Sequence, residues 1–134
     1  MNHKVTKDTK KKSDILSKKI VGAAIEVHRH LGPGLLESAY EQALCYELSQ
    51  RNIGFERQKH IPALYKGVNL DCGYRIDLLI DDLVVVELKA VNKLDPLFEA
   101  QLLTYLKLTR LWLGILLNFN VSIMKYGVKR IVNG

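Results

Sequence analysis

Tyr74–Ala90, YRIDLLIDDLVVVELKA, is the stretch that decides the fold: two apolar runs that meet at Asp81-Asp82. Val, Ile and Leu dominate both arms, which predicts a β-hairpin in the interior of a sheet. Asp77, Glu87 and Lys89 interrupt that pattern. Burying a lone carboxylate or ammonium costs roughly several kcal/mol unless it is paired or bound to a metal. Charges at these positions therefore need partners.

Glu87 and Lys89 are two residues apart and project from one face of their strand, with Leu88 pointing the other way. Asp77 joins them in only one register. A two-residue turn at Asp81-Asp82 pairs Asp77 with Val86 and Ile76 with Glu87, putting the carboxylates on opposite faces. A three-residue loop or a bulge brings Asp77 opposite Glu87. If the three charges form one site, the hairpin is irregular.

Working outward, 134 residues with 48% hydrophobic content make one domain, large enough for a core and too small for two. The net charge of +6 is unevenly spread. Residues 1–20 hold seven lysines against two aspartates, and the remainder holds thirteen basic against twelve acidic groups. The body is nearly neutral, and residues 1–12 read as a solvated, flexible basic tail ahead of a single domain over 13–134.

LWLGILLNF, the longest apolar stretch near the C-terminus, is far short of the roughly twenty residues a membrane span requires. The cytosol is the expected compartment. Cys45 and Cys72 fall in a predicted helix and a predicted strand without CxxC spacing, so both are expected to be reduced and structural. His3, His28, His30 and His60 show no metal-ligand spacing and are expected to be exposed or locally satisfied.

Ahead of the hairpin, Ser13 is placed to cap a helix with Leu16, Ile20, Ala23 or Ala24, Val27 and Leu31 at helical spacing, stopped by Gly32-Pro33-Gly34. A second helix opens near Leu35 or Leu36, runs through ESAYEQALCYELSQRN and ends at Asn52 to Gly54. Glu37 in its first turn suits the positive end of the helix dipole. Phe55 to Tyr65 is strand-like, with Pro62 arguing for an edge position and Lys66-Gly67 for a turn.

After the hairpin, Asp95-Pro96 is an N-cap followed by proline at the first helical position. The helix PLFEAQLLTYLKLTR places Gln101 and Tyr105 on one face. On geometry alone Tyr105 serves core packing or site contact equally well. Trp112 to Leu117 reads as a buried strand and Asn118 to Asn120 as a turn. Val121 to Tyr126 reads as a partner strand, with Val128 to Val132 continuing it after Gly127. The order indicates an α/β fold with a mixed sheet flanked by helices.

An Asp and a Glu converging from adjacent strands offer hard oxygen ligands for Mg²⁺ or Mn²⁺, which leave positions to water and substrate phosphate. Such an ion acidifies a water and holds a scissile phosphate, and a neighbouring lysine orients the attacking water or stabilises developing charge. The spacing D-x9-E-x-K alone is more simply read as a hairpin holding a satisfied ion pair.

Several motifs together go further. The chain resembles the PD-(D/E)XK nuclease superfamily, and within it a group of small proteins named for a GxxExxY motif, here Gly34-Leu35-Leu36-Glu37-Ser38-Ala39-Tyr40. RIDLLI with Asp77, VVVELKA with Glu87 and Lys89, QLLTYLKLT with Gln101 and Tyr105, and LLNFN at 116–120 also look like that family. The resemblance spans about Ile20 to the C-terminus. It implies a restriction-endonuclease-like αβββαβ core and a divalent-metal-dependent nuclease acting on nucleic acid, DNA by preference.

Carried over by position, the resemblance makes Asp77 and Glu87 metal ligands, Lys89 the catalytic lysine and Glu37 an acid reaching the cleft from its helix. Gln101 and Tyr105 match the QxxxY element of RecB-like nucleases and contact substrate or the lysine. A non-catalytic nucleic-acid-binding or protein-interaction module on the same fold is the alternative. The near-neutral body supplies little phosphate neutralisation, so a homo-oligomer or a protein partner would add the missing surface.

Overall fold

The computed structural model describes residues 5–134. The chain runs α1 (Lys7–Leu31), α2 (Glu37–Gln50), β1 (Phe55–Ile61), β2 (Leu64–Tyr65), β3 (Val68–Asn69), β4 (Tyr74–Ile80), β5 (Val84–Lys89), α3 (Pro96–Thr109), β6 (Leu113–Asn118), a 3-10 turn (Met124–Gly127) and β7 (Val128–Val132). Five strands form one mixed sheet in the order β1-β4-β5-β6-β7, and β2-β3 is a separate small ribbon. This is the restriction-endonuclease-like αβββαβ arrangement, with the Tyr74–Ala90 hairpin in the middle of the sheet. β5 and β6 are parallel, because the α3 crossover returns the chain to the same end of the sheet.

Helices cover both faces. Leu16, Ile20, Ala23, Ala24 and Val27 of α1, with Tyr40, Leu44 and Leu48 of α2, pack on Leu78, Ile80, Val84, Val86, Leu88, Ile115 and Leu117. Leu102, Tyr105 and Leu106 of α3 pack on Ile76, Leu79, Val85 and Leu116 across the other face. β5 and β6 are buried on both faces, which explains their continuous apolar sequence. Asp95 caps α3 by accepting from the Leu97 amide at 2.9 Å, with Pro96 following.

Three local expectations are corrected. First, α1 begins at Lys7 with Thr6 as its cap, and Ser13 lies inside it, donating to the Thr9 carbonyl. Lysine is a good helix former, and the Asp8–Lys12 pair supports this turn at 3.2 Å. Residues 7–12 are therefore helix and not tail; residues 1–4 of the expected tail, with His3, lie outside the described residues.

Second, Val121 to Tyr126 is not a strand: it turns through the 3-10 segment, and the antiparallel partner of β6 is β7. The Val121 carbonyl bonds the His28 ring at 2.7 Å and Met124 is buried, so this segment closes against α1. Gly127 passes so close to the Asn118 carbonyl that a Cβ there would lie 2.0 Å from its oxygen. Third, Cys72 is exposed in the loop between β3 and β4, outside any strand.

Candidate metal and phosphodiester site

β4 pairs with β5 through Leu78↔Val86, Leu79↔Val85 and Ile80↔Val84, closing a loop over Asp81–Leu83. Asp81 and Asp82 have φ of 50° and 53°, and the Leu83 amide donates to the Ile80 carbonyl at 2.9 Å. Both are primed-turn conformations that Asp tolerates better than most residues. The loop sets the register that puts Asp77 across from Glu87, as the irregular hairpin required.

At that level the ladder stops. β4 continues to Tyr74 beside β1, and β5 continues to Lys89 beside β6, so the sheet forks between them. Side chains span the fork in place of backbone bonds. The Asp77 amide donates to Glu87 Oε2 at 2.7 Å, and the Leu88 amide donates to Asp77 Oδ2 at 2.8 Å. Each acid thus caps an amide that the missing ladder would leave unpaired.

Strand alternation also breaks at the fork. In a regular strand residues 76, 78 and 80 share a face. Here Leu78 and Ile80 enter the core under α1 and α2, while Ile76 enters the core under α3. β1 does the same, since Phe55 packs on the first core and Ile61 belongs to the second. Gln58, across from Asp77, is the one β1 position between Phe55 and Ile61 without a β4 partner, and it has φ +50°.

Glu87 is 7% exposed and Asp77 is half-buried. Burial, then the Asp77 charge beside it, pushes the Glu87 carboxyl up to about 8. Burial also raises Asp77, against the hydrogen bond from Leu88. A buried and a half-buried carboxylate facing one another with little positive charge beside them suit a cation.

Lys89 is half-buried, its Nζ 4.4 Å from the centre of the Phe98 ring. Its charge counts among the influences on both acids, yet it lies beyond 4.0 Å of either among the described ion pairs. The end of its strand is pinned by Asn118, which exchanges hydrogen bonds with the Val91 backbone at 3.1 and 2.9 Å, and by the Phe119 amide, which donates to the Lys89 carbonyl at 2.9 Å.

Tyr105 is buried on α3, its ring 5.7 Å from that of Tyr74. Burial and then the charges of Glu87 and Asp77 raise its phenol. Gln101, one turn earlier, is exposed, and no hydrogen bond among the described residues ties it to the acids. Glu37 is exposed at the start of α2, close enough for its charge to help raise Glu87.

Two further residues belong to this cluster. Glu41, one turn after Glu37, is 7% exposed and accepts from Arg57 at 3.0 Å and from Gln58 Nε2 at 2.8 Å. Gln58 Nε2 also lies 3.4 Å from Asp77 Oδ1. The i, i+4 spacing of Glu37 and Glu41 was the only signal for Glu41 in the sequence.

The donor set suits a hard divalent ion. Only oxygen ligands converge: no hydrogen bond among the described residues reaches Glu87 Oε1, and Asp77 Oδ1 takes only the 3.4 Å contact from Gln58 Nε2. Among the described residues no group of three or more His, Cys, Asp or Glu assembles as a cage. Mg²⁺ is ordinarily held by one or two carboxylates with water and substrate phosphate completing the shell, so a pair suffices.

A protein-family model described as the PD-(D/E)XK nuclease superfamily matches residues 14–131. No curated protein and no solved structure matches the chain. No helix among the described residues is long and apolar enough to cross a membrane.

Proposed function

The chain belongs to the PD-(D/E)XK nuclease superfamily, and from that premise we propose that it is a Mg²⁺- or Mn²⁺-dependent nuclease that hydrolyses phosphodiester bonds in DNA in the cytosol. The observation that carries the reading is the fork: two carboxylates brought together at the one place where the central hairpin abandons its ladder. The Gly34–Tyr40 motif supports placing it among the GxxExxY proteins. Tyr40 donates to the Gly32 carbonyl at 2.6 Å and accepts from the Leu35 amide at 3.1 Å, so the motif shapes the turn that delivers Glu37.

Asp77 and Glu87 would hold the ion, which would supply Lewis-acid polarisation of a phosphate oxygen and a more acidic water. Lys89 orients the attacking water or stabilises charge developing on the phosphate. The Phe98 ring and the pinned strand end limit the positions of its ammonium. Glu37 adds negative charge at the mouth of the fork. Tyr105 shields the acids from the α3 side and, with Gln101 one turn away, meets the substrate.

α1 presents exposed lysines at 10, 11, 12, 18 and 19, a basic surface at the Asp81–Leu83 end of the sheet that holds phosphates away from the fork. The same lysines support the second reading, a module that holds nucleic acid without cutting it. A second copy or a protein partner supplies the rest of the phosphate-binding surface.

The test is to incubate purified protein with a panel of DNA and RNA substrates, with and without Mg²⁺ or Mn²⁺, beside the Lys89→Ala variant. Metal-dependent cleavage lost in the variant supports the nuclease. Binding without cleavage supports the module.

A further inference from the structure

Gln58 is a surface residue on an edge strand, yet its surroundings are unusual. Successive residues on a strand point to opposite faces, but Arg57 and Gln58 both reach the carboxylate of Glu41, at 3.0 and 2.8 Å. The chain can do this only because it bends at Gln58, whose φ of +50° is unfavourable for a residue with a Cβ. The bend coincides with the missing bridge to Asp77, and on either side of it the register between β1 and β4 is unchanged.

The bend gives the Gln58 side chain two neighbours. Its single NH₂ group lies 2.8 Å from Glu41 Oε1 and 3.4 Å from Asp77 Oδ1, one hydrogen available to each carboxylate. Glu41 is itself buried and held by the Arg57 guanidinium. The backbone of β1 is thus held in a costly conformation where doing so anchors an amide between a fixed acid and Asp77.

We propose that Gln58 is a positioning residue: anchored by the Glu41–Arg57 pair, it orients the Asp77 carboxylate toward Glu87 for metal binding. The proposal deepens the nuclease reading and rests on it. It separates two demands that usually coincide. Glycine at 58 accepts the left-handed backbone more readily than glutamine does, so it keeps the bend while removing the amide. Glycine also leaves Glu41 Oε1 without its Gln58 donor, which offsets that gain, so stability alone does not discriminate: a merely structural Gln58 changes the midpoint and leaves metal affinity unchanged, whereas a positioning Gln58 makes its loss damaging to metal binding in a protein that still folds.

The experiment is calorimetric titration of Mn²⁺ into the full chain, the Gln58→Gly variant and the Asp77→Asn variant, with thermal midpoints measured without metal. Gln58→Asn, which tolerates the same backbone but is one methylene shorter, is carried alongside in case glycine loosens the strand. The expected result is at least fivefold weaker Mn²⁺ binding in both Gln58 variants, each of which still unfolds in one cooperative transition. Parent-like affinity in a folded Gln58 variant overturns the proposal and leaves the nuclease reading intact. Absence of Asp77-dependent Mn²⁺ binding in the parent overturns both.

Discussion

The backbone amide of Asp77 donates to the Glu87 carboxylate at 2.7 Å, and the Asp77 carboxylate accepts from the next amide along Glu87's strand, that of Leu88, at 2.8 Å. Two acids hold a sheet together where its own ladder has opened. Each is thereby kept out of bulk water and close to the other, which is costly while both are charged and nothing positive lies between them.

That cost sets a pH dependence. The Glu87 carboxyl is raised from 4.5 to about 8 by burial and then by Asp77. Between those values the folded chain binds a proton that the unfolded chain has released, so stability falls as pH rises through the window. Asp77, raised from 3.8 chiefly by burial, acts in the same direction. Without divalent metal, the thermal midpoint should decline from pH 5 to pH 8.5. Glu87→Gln, whose amide oxygen still accepts from Asp77, should flatten the decline and exceed the parent at pH 8. A parent midpoint that rises across this range would contradict the account.

Removing the ammonium of Lys89 takes away the positive group nearest the fork on its own strand while leaving the buried strand intact. Lys89→Ala should lower the rate of metal-dependent cleavage by about 10²–10³-fold, the usual cost of losing one transition-state donor, with an unchanged far-ultraviolet spectrum. Single-turnover cleavage at saturating metal measures it.

The Tyr40 hydroxyl ties the Gly32 carbonyl to the Leu35 amide, and its ring stacks on Phe119 at 4.5 Å. Tyr40→Phe keeps the stack and strands both backbone groups. The expected loss is about 0.5–1.5 kcal/mol in urea unfolding, the net worth of a hydrogen bond between partly buried groups. Loss of a few tenths or less would show that water replaces the hydroxyl.

The fork was readable before the fold because Asp77, Glu87 and Lys89 stand in apolar runs where charge is expensive, and one register brings the acids together. Gln58 and Glu41 gave no such signal. A glutamine on an edge strand and a glutamate on a helix are ordinary solvated residues in sequence, and both acquire meaning from the bend in β1, which tertiary contacts impose. The lysines of α1 misled in the opposite sense: composition made them a tail, whereas the Thr6 cap and the Asp8–Lys12 pair make them helix. Val121–Tyr126 has strand-forming residues, but the His28 bond and buried Met124 draw it against α1.

The two cysteines should differ in reactivity. Cys45 is buried, and desolvation pushes its thiol up to about 11, while Cys72 is exposed. Since the thiolate is the reactive form, a disulfide-exchange reagent at pH 7.5 should label one equivalent per native chain and two after denaturation. Rapid labelling of both in the native state would show that the α2 packing opens readily.

The most direct measurement of the central claim is calorimetric titration of Mn²⁺ into the parent chain and into Asp77→Asn at pH 8. The account predicts one carboxylate-dependent site in the parent, weakened by tenfold or more in the variant. Equal binding in both, or none in the parent, would contradict it.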